Sequence, residues 1–136
     1  MKKIFTHGIV AGTLAAITSL IYVHVYQSAL GASFDKIINS GSIVASSIFG
    51  CTLMAVGYLL LVQFKKEKFT GILNLVIVGL SFASILGPIG ISLPLDIEAP
   101  ELFPGLAVPL HFFPALAFFA IEPFFRQKNR NSDLTT

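Results

Sequence analysis

The stretch PLHFFPALAFFAIEP, residues 109–123, is almost wholly hydrocarbon yet carries His111 and Glu122. An imidazole can ligate a metal, pass a proton or hydrogen-bond a ligand, and a desolvated carboxyl can accept protons near neutrality. The two residues are eleven positions apart, so on a helix they fall within about 20° of each other, on one stripe with Ala115 and Phe118. Phe113, Ala117, Ala120 and Phe124 fall on the opposite side. That pattern turns the polar stripe toward a bundle and the aromatic side toward lipid. A rise of about 1.5 Å per residue leaves roughly 16 Å between the pair, so they are two sites, not one.

Prolines surround the histidine. Pro109 and Pro114 flank His111, and a proline within a helix removes one hydrogen bond and frees the carbonyl four residues back, for Pro114 that of Leu110. In SFASILGPIG, residues 81–90, Pro88 does the same to Ser84, with Ser81 one turn below and Gly87 and Gly90 alongside. Two interrupted helices are thus expected to face each other at one depth. They are either a kinked pair sealed by serine hydroxyls, with His111 as an interhelical hydrogen bond, or a site for a small ligand, proton or metal at Ser81, Ser84, Pro88 and His111.

Glu122 has an ordinary reading as the partner of Arg126 one turn on, in the favourable acid-then-base order. The functional alternative is a proton-active carboxyl facing His7, which is predicted at the same depth in the first apolar run. His24 and His111, on different helices, are the weak candidates for bis-histidine haem or metal ligation. His24 also sits between Tyr22 and Tyr26, as in an interfacial aromatic belt. Asp96, Glu98 and Glu101 lack the spacing and glycine of a calcium loop and read as solvated carboxylates. Cys51 has no partner cysteine, which excludes an internal disulfide and a cysteine metal cage. The chain carries no nucleophile elbow, phosphate loop, zinc-protease pair or cysteine pair, and no cofactor follows from its motifs.

The elements that must position these groups follow from composition. With 54% hydrophobic residues, 12% charged residues and a mean hydropathy of +0.82, the 136-residue chain is too apolar for an ordinary soluble domain. Apolar runs at 4–26, 43–64, 72–93 and 106–125 each reach the roughly 20 residues a helix needs to cross a hydrocarbon core. The expected fold is an all-α, integral membrane four-helix bundle in a single domain spanning 1–136. Lys2, Lys3, Lys65, Lys66, Lys68, Arg126, Lys128 and Arg130 fall on one side, leaving only Lys36 on the other, which predicts cytoplasmic N- and C-termini in a cell inner (plasma) membrane. The lipid bilayer is the expected partner, together with a second copy or another membrane protein, and no nucleic acid.

A rival reading stands at the N-terminus. The basic start, apolar stretch and small residues Ala29 and Gly31 fit a cleavable signal peptide, but the stretch is longer than a signal's apolar core and favours an uncleaved anchor. Residues 30–39 place Leu30, Phe34, Ile37 and Ile38 at helical spacing with Ser33 as a cap, predicting an interfacial helix or an irregular loop. The six-residue link KKEKFT makes the second and third spans antiparallel neighbours. The proline-rich segment before span four reads as extended, and 127–136 as a flexible tail. Small residues four apart offer packing stripes, at Gly8 and Gly12, at Ser42, Ser46 and Gly50, and at Gly79, Ala83 and Gly87, for contacts within the chain or between copies.

LSFASILGPIG followed by PLHFFPALAFF resembles the second half of an uncharacterised family of small four-helix bacterial integral membrane proteins. In that family a serine-rich third span ends in Gly-Pro and the fourth opens with a histidine. The resemblance covers spans three and four, and implies that Ser81, Gly87, Pro88 and His111 are family residues and that the architecture is that of a bacterial inner-membrane protein; it implies no reaction. This chain departs from it in a long acidic loop and a heavily aromatic fourth span. The functional expectation is an accessory or structural membrane component. The alternatives are a small transporter or ligand-binding bundle with a pocket near Ser84, Pro88 and His111, and a haem or metal redox carrier.

Overall fold

The computed structural model describes residues 2–94 and 99–126, apart from the side chain of Arg126. The expected Glu122–Arg126 pair, the acidic residues Asp96 and Glu98, the basic residues Lys128 and Arg130 and the tail 127–136 lie outside what is described. The described residues are helical, without strands. Helix α1 runs Lys2–Leu30, α2 Ser40–Gln63, α3 Thr70–Ser84, α4 Leu86–Gly90 and α5 Phe103–Arg126. With α3 and α4 taken as one broken element preceded by the turn Glu67–Phe69, four helices are long and apolar enough to cross a membrane. They match the four apolar runs to within a few residues at each end.

Glycine brings α1 and α2 together. A Cβ placed at Gly8 would sit 2.7 Å from Ala55 Cβ, and one at Gly12 would sit 2.8 Å from Ile48 Cα. The two helices can approach this closely because α1 presents no side chain at these two positions. Ala11 and Ala15 of α1, Cys51 and Ala55 of α2, and Ala117 and Phe118 of α5 complete this core. A second core, at the end of the bundle away from the chain termini, gathers Val23, Phe34, Ile43, Phe103, Leu106 and Ala107. Here this is called the distal end.

The link between α1 and α2 is irregular. It makes one turn, with the amides of Ile37 and Ile38 donating to the Phe34 carbonyl. Phe34 itself is fully buried against Phe103, with ring centroids 5.7 Å apart, and anchors the loop under the start of α5. Ser33 donates to Asp35 Oδ2 at 3.1 Å and is no helix cap; Asn39 caps α2, accepting the Ser42 amide at 2.8 Å.

Helix α3 stands apart from the other three. Only 11% of its most apolar stretch is buried in protein, against 39% for α1. The tight link holds it to α2 near that link, where Gly57 faces the Leu73 side chain and the Tyr58 hydroxyl donates to Asn74 Oδ1. Toward the distal end it leans instead on α5, with Phe82 edge-on to Phe112 at 5.0 Å. The stripe Gly79, Ala83 and Gly87 faces outward, and nothing lies within 4 Å of a Cβ built at either glycine.

These contacts separate two glycines of similar sequence appearance. Gly12→Ala must push back the α2 backbone and is expected to cost about 1–3 kcal/mol. Gly79→Ala meets open space and is expected to leave stability unchanged or slightly raised. Thermal unfolding of the two variants in detergent checks the contrast.

Candidate functional site

Helices α2 and α3 diverge from their shared link, and the divergence leaves a cavity of about 690 Å³, closed behind by α1 and α5. Its walls are largely aliphatic, with Leu53, Met54, Leu73, Ile77, Leu80 and Leu110 among them. Hydroxyls punctuate these walls. Ser42, Ser46 and Ser47 come from α2, Ser81 and Ser84 from α3, and Ser19 from α1, while His111 comes from α5. Among the described residues the lining carries no Asp, Glu, Lys or Arg.

Of the expected site residues, Ser81, Ser84 and His111 line this cavity and Pro88 does not, and the arrangement differs from a sealed, kinked pair. Helix α3 does break where Pro88 predicts, at Ile85, whose amide reaches only three residues back to the Phe82 carbonyl at 3.2 Å. Helix α5 instead runs unbroken through Pro109, Pro114 and Pro123. Its weakened ladder is supported from the side. The Gly105 carbonyl, freed by Pro109, accepts the Tyr22 hydroxyl at 2.8 Å, and the Leu102 carbonyl accepts the Tyr26 hydroxyl at 2.8 Å. Tyr22 and Tyr26 are thus donors to α5 and not only belt aromatics.

The serines of α3 do not bridge to α5. Ser81 Oγ donates to the Ile77 carbonyl at 3.0 Å and Ser84 Oγ to the Ser81 carbonyl at 2.7 Å, both within their own helix. On α2, Ser46 Oγ likewise donates to the Ile43 carbonyl at 3.1 Å. His111 also bonds within its helix, with Nδ1 placed 2.8 Å from the Ala107 carbonyl. A carbonyl can only accept, so Nδ1 carries the proton and neutral His111 keeps a bare lone pair at Nε2.

Ser19 differs from all of these. It is 1% exposed, lines the cavity, and its Oγ has no hydrogen-bond partner. A buried hydroxyl left unpaired costs about 1–3 kcal/mol, and this one is closed off from water and from the cavity alike. Sequence reasoning missed Ser19 because it sits in a run of alanines and threonines that reads as packing surface. It also assigned Ser42, Ser46 and Gly50 to helix packing, whereas that stripe is cavity wall; the packing stripe of α2 is Ser47, Cys51 and Ala55, one position around.

Two other expected groupings resolve differently. His7 does reach α5, but it is 4% exposed, stacked between Phe118 and Phe125, and its Nε2 donates to the Phe118 carbonyl at 2.9 Å. Glu122, one turn beyond Phe118, is only partly buried, and the imidazole of His7 is engaged by backbone and rings. His24 is exposed on the outward side of α1, so it and the cavity-lining His111 do not converge. Among the described residues no three His, Cys, Asp or Glu side chains cluster as a metal centre. Cys51 is buried in the core between α1, α2 and α5 and donates its thiol to the Pro114 carbonyl at 3.4 Å.

Comparison with known protein families, with characterised proteins and with solved structures finds no match to this chain.

The two hydroxyl environments give opposite expectations. Ser19→Ala removes an unpaired buried group and is expected to leave the empty protein as stable or more so, while Tyr22→Phe strips the Gly105 carbonyl of its donor and is expected to cost about 1 kcal/mol. Melting temperatures of the purified variants, compared without added ligand, check the sign.

Proposed function

We propose that this protein is a four-span integral membrane protein with both termini in the cytoplasm, and that it binds a small molecule between α2 and α3. The observation that carries the binding reading is the cavity of about 690 Å³ itself, inside the size range of small-molecule sites, with Ser42, Ser46, Ser81, Ser84 and His111 set among largely aliphatic walls. Placement in a bilayer is supported by four helices of sufficient length and apolarity and by outward faces rich in Leu, Ile, Val and Phe, such as Leu75 and Phe124. Orientation is supported by Lys2, Lys3, Lys65, Lys66 and Lys68 at one end of the bundle. In this reading α1 is retained, since it supplies Gly8, Gly12 and Ser19 to the packing and the cavity. The cavity then lies in the outer half of the membrane, with its open side between α2 and α3 facing lipid. The resemblance of spans three and four to small bacterial inner-membrane proteins agrees with this placement.

Orientation is tested by cysteine labelling in a Cys51→Ser background. Ser33→Cys is expected to react with a membrane-impermeant maleimide on intact cells, and Lys66→Cys only after permeabilisation; the reverse pattern overturns the topology. Binding is tested in vesicles with a neutral hydrocarbon photoprobe bearing a diazirine. Labelling on peptides containing Ser46 and Ser81 is expected to saturate and to be abolished by Ser46→Trp, which fills the cavity. Labelling that never saturates and falls equally on the outward residues Leu75 and Phe124 overturns the binding reading and restores the accessory role.

A further inference from the structure

Polarity in the cavity is sorted by depth. Helix α2 starts at the distal end, and along it the lining serines Ser42, Ser46 and Ser47 come first and Leu53 and Met54 after. Helix α3 starts at the link, and its lining residues Leu73, Val76 and Ile77 come first and Ser81 and Ser84 after. Contacts fix the two series against each other. Gly57 faces Leu73 near the link, and counting from there along antiparallel helices sets Ser81 and Ser84 about level with residues 46–50. Pro114 stands 3.8 Å from a Cβ built at Gly50, so His111, almost one turn toward the distal end, falls at the same level. From Gly50 and Leu80 to the link, the lining carries no polar side chain.

The polar band itself does not choose between donors and acceptors. Ser46, Ser81 and Ser84 have given their protons to carbonyls of their own helices, while the hydroxyls of Ser42 and Ser47 have no acceptor among the described residues. Ser19 takes no part, because its Oγ is closed off from the cavity. What the lining selects is where along the occupant its polar group sits. Length adds a second limit: Ser42 and Met54 are twelve positions apart, roughly 18 Å by the helical rise, a little more than half of a hydrocarbon core of about 30 Å.

Resting on the binding reading above, we propose that the occupant is an uncharged acylglycerol, held parallel to the helices with its ester end among the distal serines and His111 and one acyl chain running toward the link. Pure hydrocarbon would match the walls near Leu53 and Leu73 and leave the polar band unpaired, and a compact polar molecule would do the reverse. The charge follows from depth. Ser47 lies seven positions inside the start of α2, roughly 10 Å by the helical rise, so a phosphate drawn to that level would leave the interface. No Lys or Arg among the described lining residues offsets that loss of solvation, whereas a glycerol ester reaches the same depth without a charge to desolvate.

Matched probes test depth and charge separately. The full chain in phosphatidylcholine vesicles is photolabelled with a long-chain monoacylglycerol whose diazirine sits either beside the ester or at the far end of the chain. Both are expected to saturate, the first on residues 42–47 and 81–84 and the second on residues 53–54 and 73–77, with the outward residues Leu75 and Phe124 spared. Unlabelled monoacylglycerol is expected to displace either probe at a concentration at least about tenfold below the same molecule phosphorylated on its glycerol. One labelling pattern for both probes, or the reversed order, overturns the orientation, and equal competition by the phosphorylated compound overturns the uncharged head; both leave the binding site standing. Monoacylglycerol probes that never saturate where the neutral hydrocarbon probe does overturn the acylglycerol class. Loss of saturation for all three probes overturns the binding reading itself.

Discussion

Gly8 and Gly12 let the backbone of α1 lie so close to α2 that a methyl group at Gly12 would stand 2.8 Å from Ile48 Cα. That approach uses up the one face of α2 made of Ser47, Cys51 and Ala55, and α5 then seats Ala117 and Phe118 over the same seam. Three helices are thereby committed to one another. The third long helix, tied to α2 by a short link, does not close on the remaining small-residue face of α2, Ser42, Ser46 and Gly50, and finds its distal support on α5 through Phe82 and Phe112. The gap between α2 and α3 lies over that face.

Within the three committed helices, α5 is held by polar bonds that converge on its backbone. His7, Tyr22 and Tyr26 of α1 and Cys51 of α2 all donate to carbonyls of α5 or of the turn before it. Three prolines thin the internal ladder of that helix, and of the carbonyls they free, those of Gly105, Leu110 and Phe119, the first receives the Tyr22 hydroxyl. The histidine, tyrosines and cysteine are therefore structural cross-links. The cavity hydroxyls behave oppositely. Those of Ser46, Ser81 and Ser84 bond carbonyls of their own helices and do not bridge the space between helices.

How much of this was legible in the sequence depended on which physical quantity each feature obeys. Span positions follow from length and hydrocarbon content, which need no knowledge of neighbours, and the apolar runs anticipated all four. The break at Ile85 follows from the missing proline amide at Pro88, again a local cause. The rotational setting of a helix is a different matter. Ser42, Ser46 and Gly50 and the neighbouring set Ser47, Cys51 and Ala55 are both small and four apart, and only the choice of partner helix decides which packs and which lines a void. His7 was set beside Glu122 from expected depth alone, which could not show that the Phe118 carbonyl and two phenyl rings would engage its imidazole. Ser19 left no signal at all, because a hydroxyl becomes notable only when its surroundings fail to satisfy it.

The gap of about 690 Å³ opens at its side between α2 and α3, so it takes in whatever surrounds it and does not bear the cost of an enclosed void. Its aliphatic walls suit hydrocarbon, whereas any polar lining group that faces hydrocarbon without a partner carries a desolvation penalty. A molecule that fills the space and also pairs such a group would be favoured over plain hydrocarbon by that difference. Since α3 is the least enclosed wall, it is the element that can yield to admit such a molecule without disturbing the seam of α1, α2 and α5.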